Sequence, residues 1–426
     1  MIKLSEHKSQ TEHKTIRGSS LPARVYLPLS QHIGKICSPE VALGDTVLKG
    51  QRVAAANAGV YSPLHAPISG EVTAIKEWPH PLLGRCQAIV IESDLADKAV
   101  ATQTPRLPDE IGALTPEQIR TAVFEAGIVG LGGASFPTHI KLTPPKPIDS
   151  LIINGAECEP YLTSDDRLMV EKTREIILGI RLVEKCLGAK NVYIAIENNK
   201  AHAIKIFKEL LVDTGFKLHV LRSQYPQGGE KQLIQSVVKR QVPTGKFPFD
   251  IGVVVQNVAT IYAIYEALYL RKPLYERVMT ISGDCLQNPG NLLVRLGTPV
   301  KDLIAQCGPL IKPPQQIIFG GPMMGLAQYS QDVPVIKNTN GILLLSEAQV
   351  KESQENTCIR CGRCVEYCPL GLMPCLMSMA GEKEKWDLAK SYGCLECMEC
   401  GLCNYVCPQK RNIVQTIKTS KIRIPK

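Results

Sequence analysis

The residues best suited to chemistry in this chain are its cysteines. Cys358, Cys361, Cys364 and Cys368 follow Cys-x2-Cys-x2-Cys-x3-Cys-Pro in "CIRCGRCVEYCP", and Cys397, Cys400, Cys403 and Cys407 repeat the pattern in "CMECGLCNYVCP". In such paired cassettes three close thiolates wrap three corners of an iron–sulfur cubane, and the fourth reaches across to the other cluster. The spacing predicts two 4Fe-4S clusters. Cys358, Cys361, Cys364 and Cys407 would hold the first, and Cys397, Cys400, Cys403 and Cys368 the second. Structural zinc calls for two Cys pairs separated by a loop rather than triplets followed by proline, and disulfides need an oxidising compartment. Cys394 offers another register of Cys-x2 steps but leaves Cys407-Pro408 unused. Cys375, Cys37, Cys86, Cys186, Cys285 and Cys307 are expected to be ordinary buried thiols.

Clusters of this kind pass one electron at a time, so a partner site must feed or drain them. The stretch "GIVGLGGASFPTHIKL" (127–142) can let backbone N–H groups approach an anion at Gly130, Gly132 and Gly133, with Lys141 adding positive charge. Three further pieces carry polar groups at predicted element ends: "INGAECEPYLTSDD" with Asn154, Glu157 and Glu159, "YPQGGEKQL" with Gly228, Gly229 and Glu230, and "VVVQNVATI" with Asn257 and Thr260. Each alone could be a solvated loop or a helix cap.

The elements that must position these groups follow from periodicity. Residues 35–95 carry short strands, with Gly44-Asp45 and Ser69-Gly70 as hairpin signals. The pairing of "GDTVLKGQ" with "HAPISGEVTAI" resembles the barrel-sandwich of biotinyl and lipoyl domains, but the tip "ANAGVYSP" has no modifiable lysine. From about 110 to 275 strands and helices alternate. "SLIINGAE", "NVYIAIEN", "KLHVLRS" and "DIGVVVQN" read as strands, Thr115 caps a helix, and one helix starts at Ser164-Asp165-Asp166 and ends at Gly188. That alternation predicts a largely parallel α/β sheet with ligand loops at its carboxyl edge. Residues 276 to about 345 read as a small β-rich module. The expected fold is multidomain α/β and α+β: an N-terminal segment with a barrel-sandwich over 1–105, a Rossmann-like α/β domain over 106–275, a β-grasp module over 276–348 and a two-cluster domain over 349–426.

With 426 residues, 44% hydrophobic content and 21% charged content, the chain has the composition of a soluble globular protein. Its net charge of +9 is mild for the length and dispersed, which disfavours nucleic acid as a partner. The N-terminus offers no apolar signal core, so a reducing cytosol is expected. The most apolar stretch, 251–270, contains Gln256, Asn257 and Glu266 and reads as a strand running into a helix, not a membrane span.

The ordered set "GLGGASFPTHIKL", "NGAECEP", "YPQGGEK" and "QNVATI" resembles the flavin- and NADH-binding subunit of respiratory complex I, and "SGDCLQNPGNLLVRLGTPVKDLI" resembles the SLBB β-grasp module that follows it there. With the barrel-sandwich in front and the two-cluster ferredoxin-like domain behind, the whole is similar to the RnfC family of the Rnf complexes. That resemblance implies a peripheral cytoplasmic subunit of a membrane-bound ion-translocating ferredoxin:NAD oxidoreductase, partnered by membrane-embedded subunits and by ferredoxin or a ferredoxin-like subunit. It implies FMN at Gly130, Gly132, Gly133, Lys141, Asn154, Glu157, Gly228, Asn257 and Thr260, and NADH facing Phe136, Glu159 and Glu230. Two positions depart from the complex I pattern: Ala156 replaces an acidic residue and Gly229 a glutamate. They support another reading, a flavin-free iron–sulfur wiring subunit, and a further alternative is a soluble cobalamin-reductase-like flavoprotein built from the same modules with the barrel-sandwich after the clusters.

Overall fold

Short, largely apolar runs, most of them buried on both faces, build the central sheet. In the first strand, Ser150–Gly155, Leu151 and Ile153 join one buried cluster while Ile152 joins another on the opposite face, as a strand covered on both sides requires. The computed structural model describes residues 1–101, 104–350 and 356–424. Four parallel strands lie in the order Lys217–Leu221, Asn191–Glu197, Ser150–Gly155, Val253–Asn257. In chain order this is 3-2-1-4, so the sheet reverses direction between its first and fourth strands. Such a switch point leaves a crevice at the carboxyl ends. Helices Thr173–Leu187 and Val258–Tyr269 cover one face, and Glu230–Val238 the other.

The stretch from 251 to 270 is indeed strand then helix. The helix expected from Ser164 to Gly188 is instead two, Ser164–Glu171 and Thr173–Leu187, broken at Lys172. The carboxylate of Glu171 at the break accepts the Ile16 amide at 3.0 Å and the Arg167 guanidinium at 2.8 Å, so a distant segment reshapes the helix end.

The barrel-sandwich is a four-stranded antiparallel sheet (Arg24–Pro28, Gly84–Ser93, Gly70–His80, Thr46–Val47) facing a three-stranded one (Ser38–Pro39, Arg52–Ala55, Leu64–His65). The Gly44-Asp45 and Ser69-Gly70 turns each join strands of different sheets and neither forms a hairpin. Each turn gives a bend but not the pairing. The tight hairpin is the one between Gly70–His80 and Gly84–Ser93. The tip that carries lysine in lipoyl domains is tied down here: buried Lys337 donates to Ser62 Oγ, to Pro63 O and, across to the α/β domain, to Gly127 O.

A mixed six-stranded sheet follows, built on Glu276–Gly283, Gly290–Arg295 and Gly341–Leu345. Its edge strand is Arg17–Gly18, so the N-terminal segment crosses the molecule before entering the barrel-sandwich. The cysteine domain packs Met377, Ala380, Ala389, Ile413 and Ile417 between three short helices. Among the described residues, no helix is long and apolar enough to cross a membrane.

Candidate functional site

Asn154 and Asn257 end the two strands at the switch point and are register partners across it. The Asn154 amide donates to Gly228 O at 2.9 Å while its oxygen accepts the Ala156 amide. The Asn257 oxygen caps the following helix by accepting from Ala259 and Thr260, and its amide donates to Asp165 at 2.6 Å. Both side chains are therefore locked in orientation.

Around them the glycine loop folds back on itself: Gly130 N donates to Phe136 O at 2.9 Å and Ser135 N to Gly130 O. It is pinned from behind by Thr260 Oγ1, which accepts the Leu131 amide at 2.9 Å, and by buried Arg277, which donates to Leu131 O. Gly132 approaches Asn257 so closely that a Cβ there would lie 3.2 Å from the asparagine Cβ. Gly132, Gly133 and Ala134 stay exposed, so the loop offers open backbone beside the sheet edge. Lys141 reaches the same edge, 2.7 Å from Glu230 and 2.8 Å from Val255 O.

The structure thus brings together Gly130, Gly132, Gly133, Lys141, Asn154, Gly228, Glu230, Asn257 and Thr260, with Phe136 half-buried on the loop. Glu157 and Glu159 turn to other tasks. Glu157 accepts the Asp165 and Asp166 amides at the start of the helix Ser164–Glu171. Glu159 accepts the Met323 and Met324 amides at 3.1 and 2.8 Å, and burial pushes its carboxyl up to about 7. Asp165 was legible only as a helix start. It is half-buried, and desolvation with the nearby Glu157 raises it to about 7 beside Asn257.

These residues suit an anionic flavin mononucleotide. Lys141 and open glycine backbone can meet a phosphate, and the buried Gln256 Nε2 at the sheet's carboxyl edge has no acceptor among the described residues.

The second cysteine set also converges. Cys368, Cys397, Cys400 and Cys403 ring a small hollow lined otherwise by apolar residues such as Leu370, Leu372, Met377 and Val414. Burial raises the Cys400 thiol to about 11, as expected in apolar surroundings. Backbone amides of Leu372 and Glu399 lie 3.4 Å from Cys368 Sγ and Cys397 Sγ. Among the described residues no three acidic, histidine or cysteine side chains converge on a point fit for a lone metal ion. In the first set, Cys358 lies beside Cys364 and the Arg411 guanidinium, and Cys361 is exposed. Cys375 sits against Cys364, and Cys394 is buried against Ile417 O.

The two sites touch. Tyr225 Oη donates to Cys400 O at 2.7 Å, Gln232 to Pro369 O at 3.4 Å, and Lys231 lies 3.6 Å from Glu396. A Cβ on Gly229 would come within 2.6 Å of Met398 Cε, and one on Gly401 within 2.4 Å of Met323 O. Tyr225, Cys158 and the "GGPMMG" loop form this contact, and sequence reading assigned none of them a role there.

Four family descriptions match in order: the RnfC barrel sandwich hybrid domain over residues 2–96, the Nuo51 FMN-binding domain over 123–266, the SLBB domain over 278–327 and the 4Fe-4S dicluster domain over 351–422. The chain is 45% identical over 420 residues to the C subunit of the proton-translocating ferredoxin:NAD(+) oxidoreductase complex of Clostridium ljungdahlii, covering 98% of this chain and 91% of that one. It is 41% identical to the C subunit of the Na(+)-translocating complex of Acetobacterium woodii, covering 98% and 94%. The chain belongs to the RnfC family. It carries that family's FMN-binding and 4Fe-4S dicluster domains. A solved NAD+-reducing [NiFe]-hydrogenase in the H2-reduced state aligns with a TM-score of 0.51 at 17% identity, over 74% of this chain and 67% of that one. This likeness concerns the fold alone.

Proposed function

We propose that this chain exchanges a hydride between NAD(H) and FMN at the switch point and relays single electrons through two 4Fe-4S clusters. It would do so as a peripheral, cytoplasmic-side subunit of a membrane-bound ion-translocating ferredoxin:NAD oxidoreductase complex. The observation that carries the reading is the junction of the two sites: the Gly228–Glu230 turn of the flavin domain abuts the cassette whose cysteines ring the hollow. A bound flavin supplies the conversion between a two-electron hydride and one-electron steps.

The chain's own residues do the rest. Lys141 and the exposed amides of Gly132 and Gly133 would hold the phosphate, Asn154 and Asn257 would shape the sheet edge of the flavin site, and Phe136 and Glu230 would contact the nicotinamide nucleotide. Cys397, Cys400, Cys403 and Cys368 hold the cluster nearer the flavin domain, and Cys358, Cys361, Cys364 and Cys407 the farther one. Glu159 contributes by fastening the 321–324 loop to this junction, with its oxygens occupied by amides.

Ala156 and Gly229 favour a second reading, in which the chain carries iron–sulfur clusters but no flavin. Anaerobic purification with measurement of FMN, iron and the visible spectrum before and after NADH separates the two. Flavin with about eight iron atoms and bleaching by NADH supports the relay. Iron without flavin, and no bleaching even after FMN is added, refutes it.

A further inference from the structure

The two cassettes are one backbone written twice. Arg360 and Glu399 share a left-handed conformation (φ 54° and 59°), as do Gly362 and Gly401 (78° and 79°) and Gly371 and Lys410 (65° and 49°). Each glycine of the middle pair is followed by a four-residue helix, Arg363–Glu366 or Leu402–Tyr405. Equivalent positions have opposite surroundings. In the inner cassette Cys400, Gly401 and Leu402 are buried, and Met398 half-buried, against Tyr225, Gly229 and Met323. In the outer one Ile359 is 59% exposed, and Arg360, Cys361, Gly362 and Arg363 are exposed with it.

The chemistry differs in the same sense. Where the inner cassette has Glu399 and Leu402, the outer has Arg360 and Arg363. Where Gly371 follows Cys368-Pro369, exposed Lys410 follows Cys407-Pro408. None of these three cations makes an ion pair among the described residues, and the exposed acid in the same turn is Glu366. The other nearby acid, Glu382, is paired with Arg411.

We infer that the outer cassette is a docking surface for a protein with an acidic face bearing its own redox centre, met by Ile359 at the middle and Arg360, Arg363 and Lys410 around it. The inference rests on the cluster assignment in the proposed function and not on the flavin. The inner cassette supplies the template: an apolar residue and a glycine edge let a neighbour approach, and a backbone carbonyl is bonded across the contact. Exposed Cys361 brings the outer cluster's edge to the surface. A cationic rim steers an acidic partner to that edge, and such steering changes association rates by about 10 to 1,000-fold at low salt. One electron passes per encounter, and no bond is made or broken.

The test uses the intact holo-chain, its clusters reduced chemically so that neither NADH nor flavin chemistry enters. The probe is oxidised plastocyanin, an acidic copper protein whose Cu(II) takes one electron from a reduced cluster. The double variant Arg360→Glu, Arg363→Leu copies the inner cassette's side chains onto the same backbone. It is expected to lower the second-order rate at low salt by about tenfold or more and flatten its salt dependence, with iron content unchanged. Lys208→Glu, an exposed change on the helix Ala201–Leu210, is expected to stay within about twofold. A double variant that keeps its iron and the parental rate, or an equal loss in Lys208→Glu, overturns the proposal. Carbodiimide coupling of the unmodified chain to plastocyanin decides the matter if the variant loses iron: cross-links at Lys410 support the surface, and cross-links confined to other lysines, or none, overturn it.

Discussion

Replacing Glu159 by glutamine should invert the sign of a local stability difference between pH 4 and pH 8. Glu159 accepts two amides from the 321–324 loop, and burial carries its carboxyl from an ordinary 4.5 to about 7. A carboxyl raised on folding binds its proton more tightly in the folded state. Its contribution is fully present below 4.5 and is lost as pH rises to about 7. At 1.36 kcal/mol per pH unit the loss is on the order of 3 kcal/mol. Glutamine removes that penalty but keeps one acceptor oxygen, giving up one amide bond at about 1 kcal/mol at any pH. The variant should therefore hold the loop about 1 kcal/mol less firmly at pH 4 and about 2 kcal/mol more firmly at pH 8. Amide hydrogen exchange of a peptide spanning 320–326, corrected for intrinsic rates, reads this opening directly. Asp165 and Asp166 are also raised, but they are common to both proteins and cancel in the difference. A difference that does not change with pH would show that the Glu159 carboxylate is not held in the environment described.

Lys141→Ala removes a charged donor and leaves Glu230 unpaired, so FMN affinity should fall about 10- to 100-fold with iron unchanged; equal loss of both would detach Lys141 from the flavin. Thr260→Val leaves the buried Leu131 amide without its acceptor at a cost of about 1–3 kcal/mol, and flavin content should drop while cluster spectra persist. Unchanged flavin retention would mean the glycine loop needs no pin. Cys368→Ala should impair the cluster of the second cassette as seen by paramagnetic resonance, whereas loss confined to the other cluster would overturn the crossed ligation.

Three of the four central strands were readable as short, largely apolar runs, and the edge strand Lys217–Leu221 as a short extended stretch between turns. The cassettes were readable because cluster ligation imposes spacing within a dozen residues. What escaped was set at long range. The break at Lys172 reflects Glu171 bonding to Ile16, 155 residues away. The first eighteen residues adjoin the barrel-sandwich in sequence terms, yet Arg17–Gly18 pair with Gly290–Arg295. The "GGPMMG" loop had no legible role because its partners, Glu159 and Gly401, lie in other domains. Asp165 looked like a cap. Its placement under Asn257 and near Arg277 exists only once the sheet has formed.

The same contacts bear on Gly229, one of the two departures from the complex I pattern. Its Cβ position is occupied: Met398 Cε and Gln232 Oε1 would lie 2.6 and 2.5 Å away. A glutamate there would push aside the flexible ends of Met398 and Gln232 and set a charge beside apolar side chains, where an unpaired polar group is costly. The packing of the cysteine domain onto the flavin domain thus disfavours the charge at this position, and its absence does not by itself imply that the flavin site has decayed. Lys231 and Gln232, next along the chain, reach across to Glu396 and Pro369. In this chain the turn "QGGEK" serves two neighbours, with Gly228 and Glu230 turned to the sheet edge and Gly229, Lys231 and Gln232 turned to the cassette. Ala156 is half-buried beside the same turn, its carbonyl 2.5 Å from where a Gly228 Cβ would stand, so both departures lie at one junction.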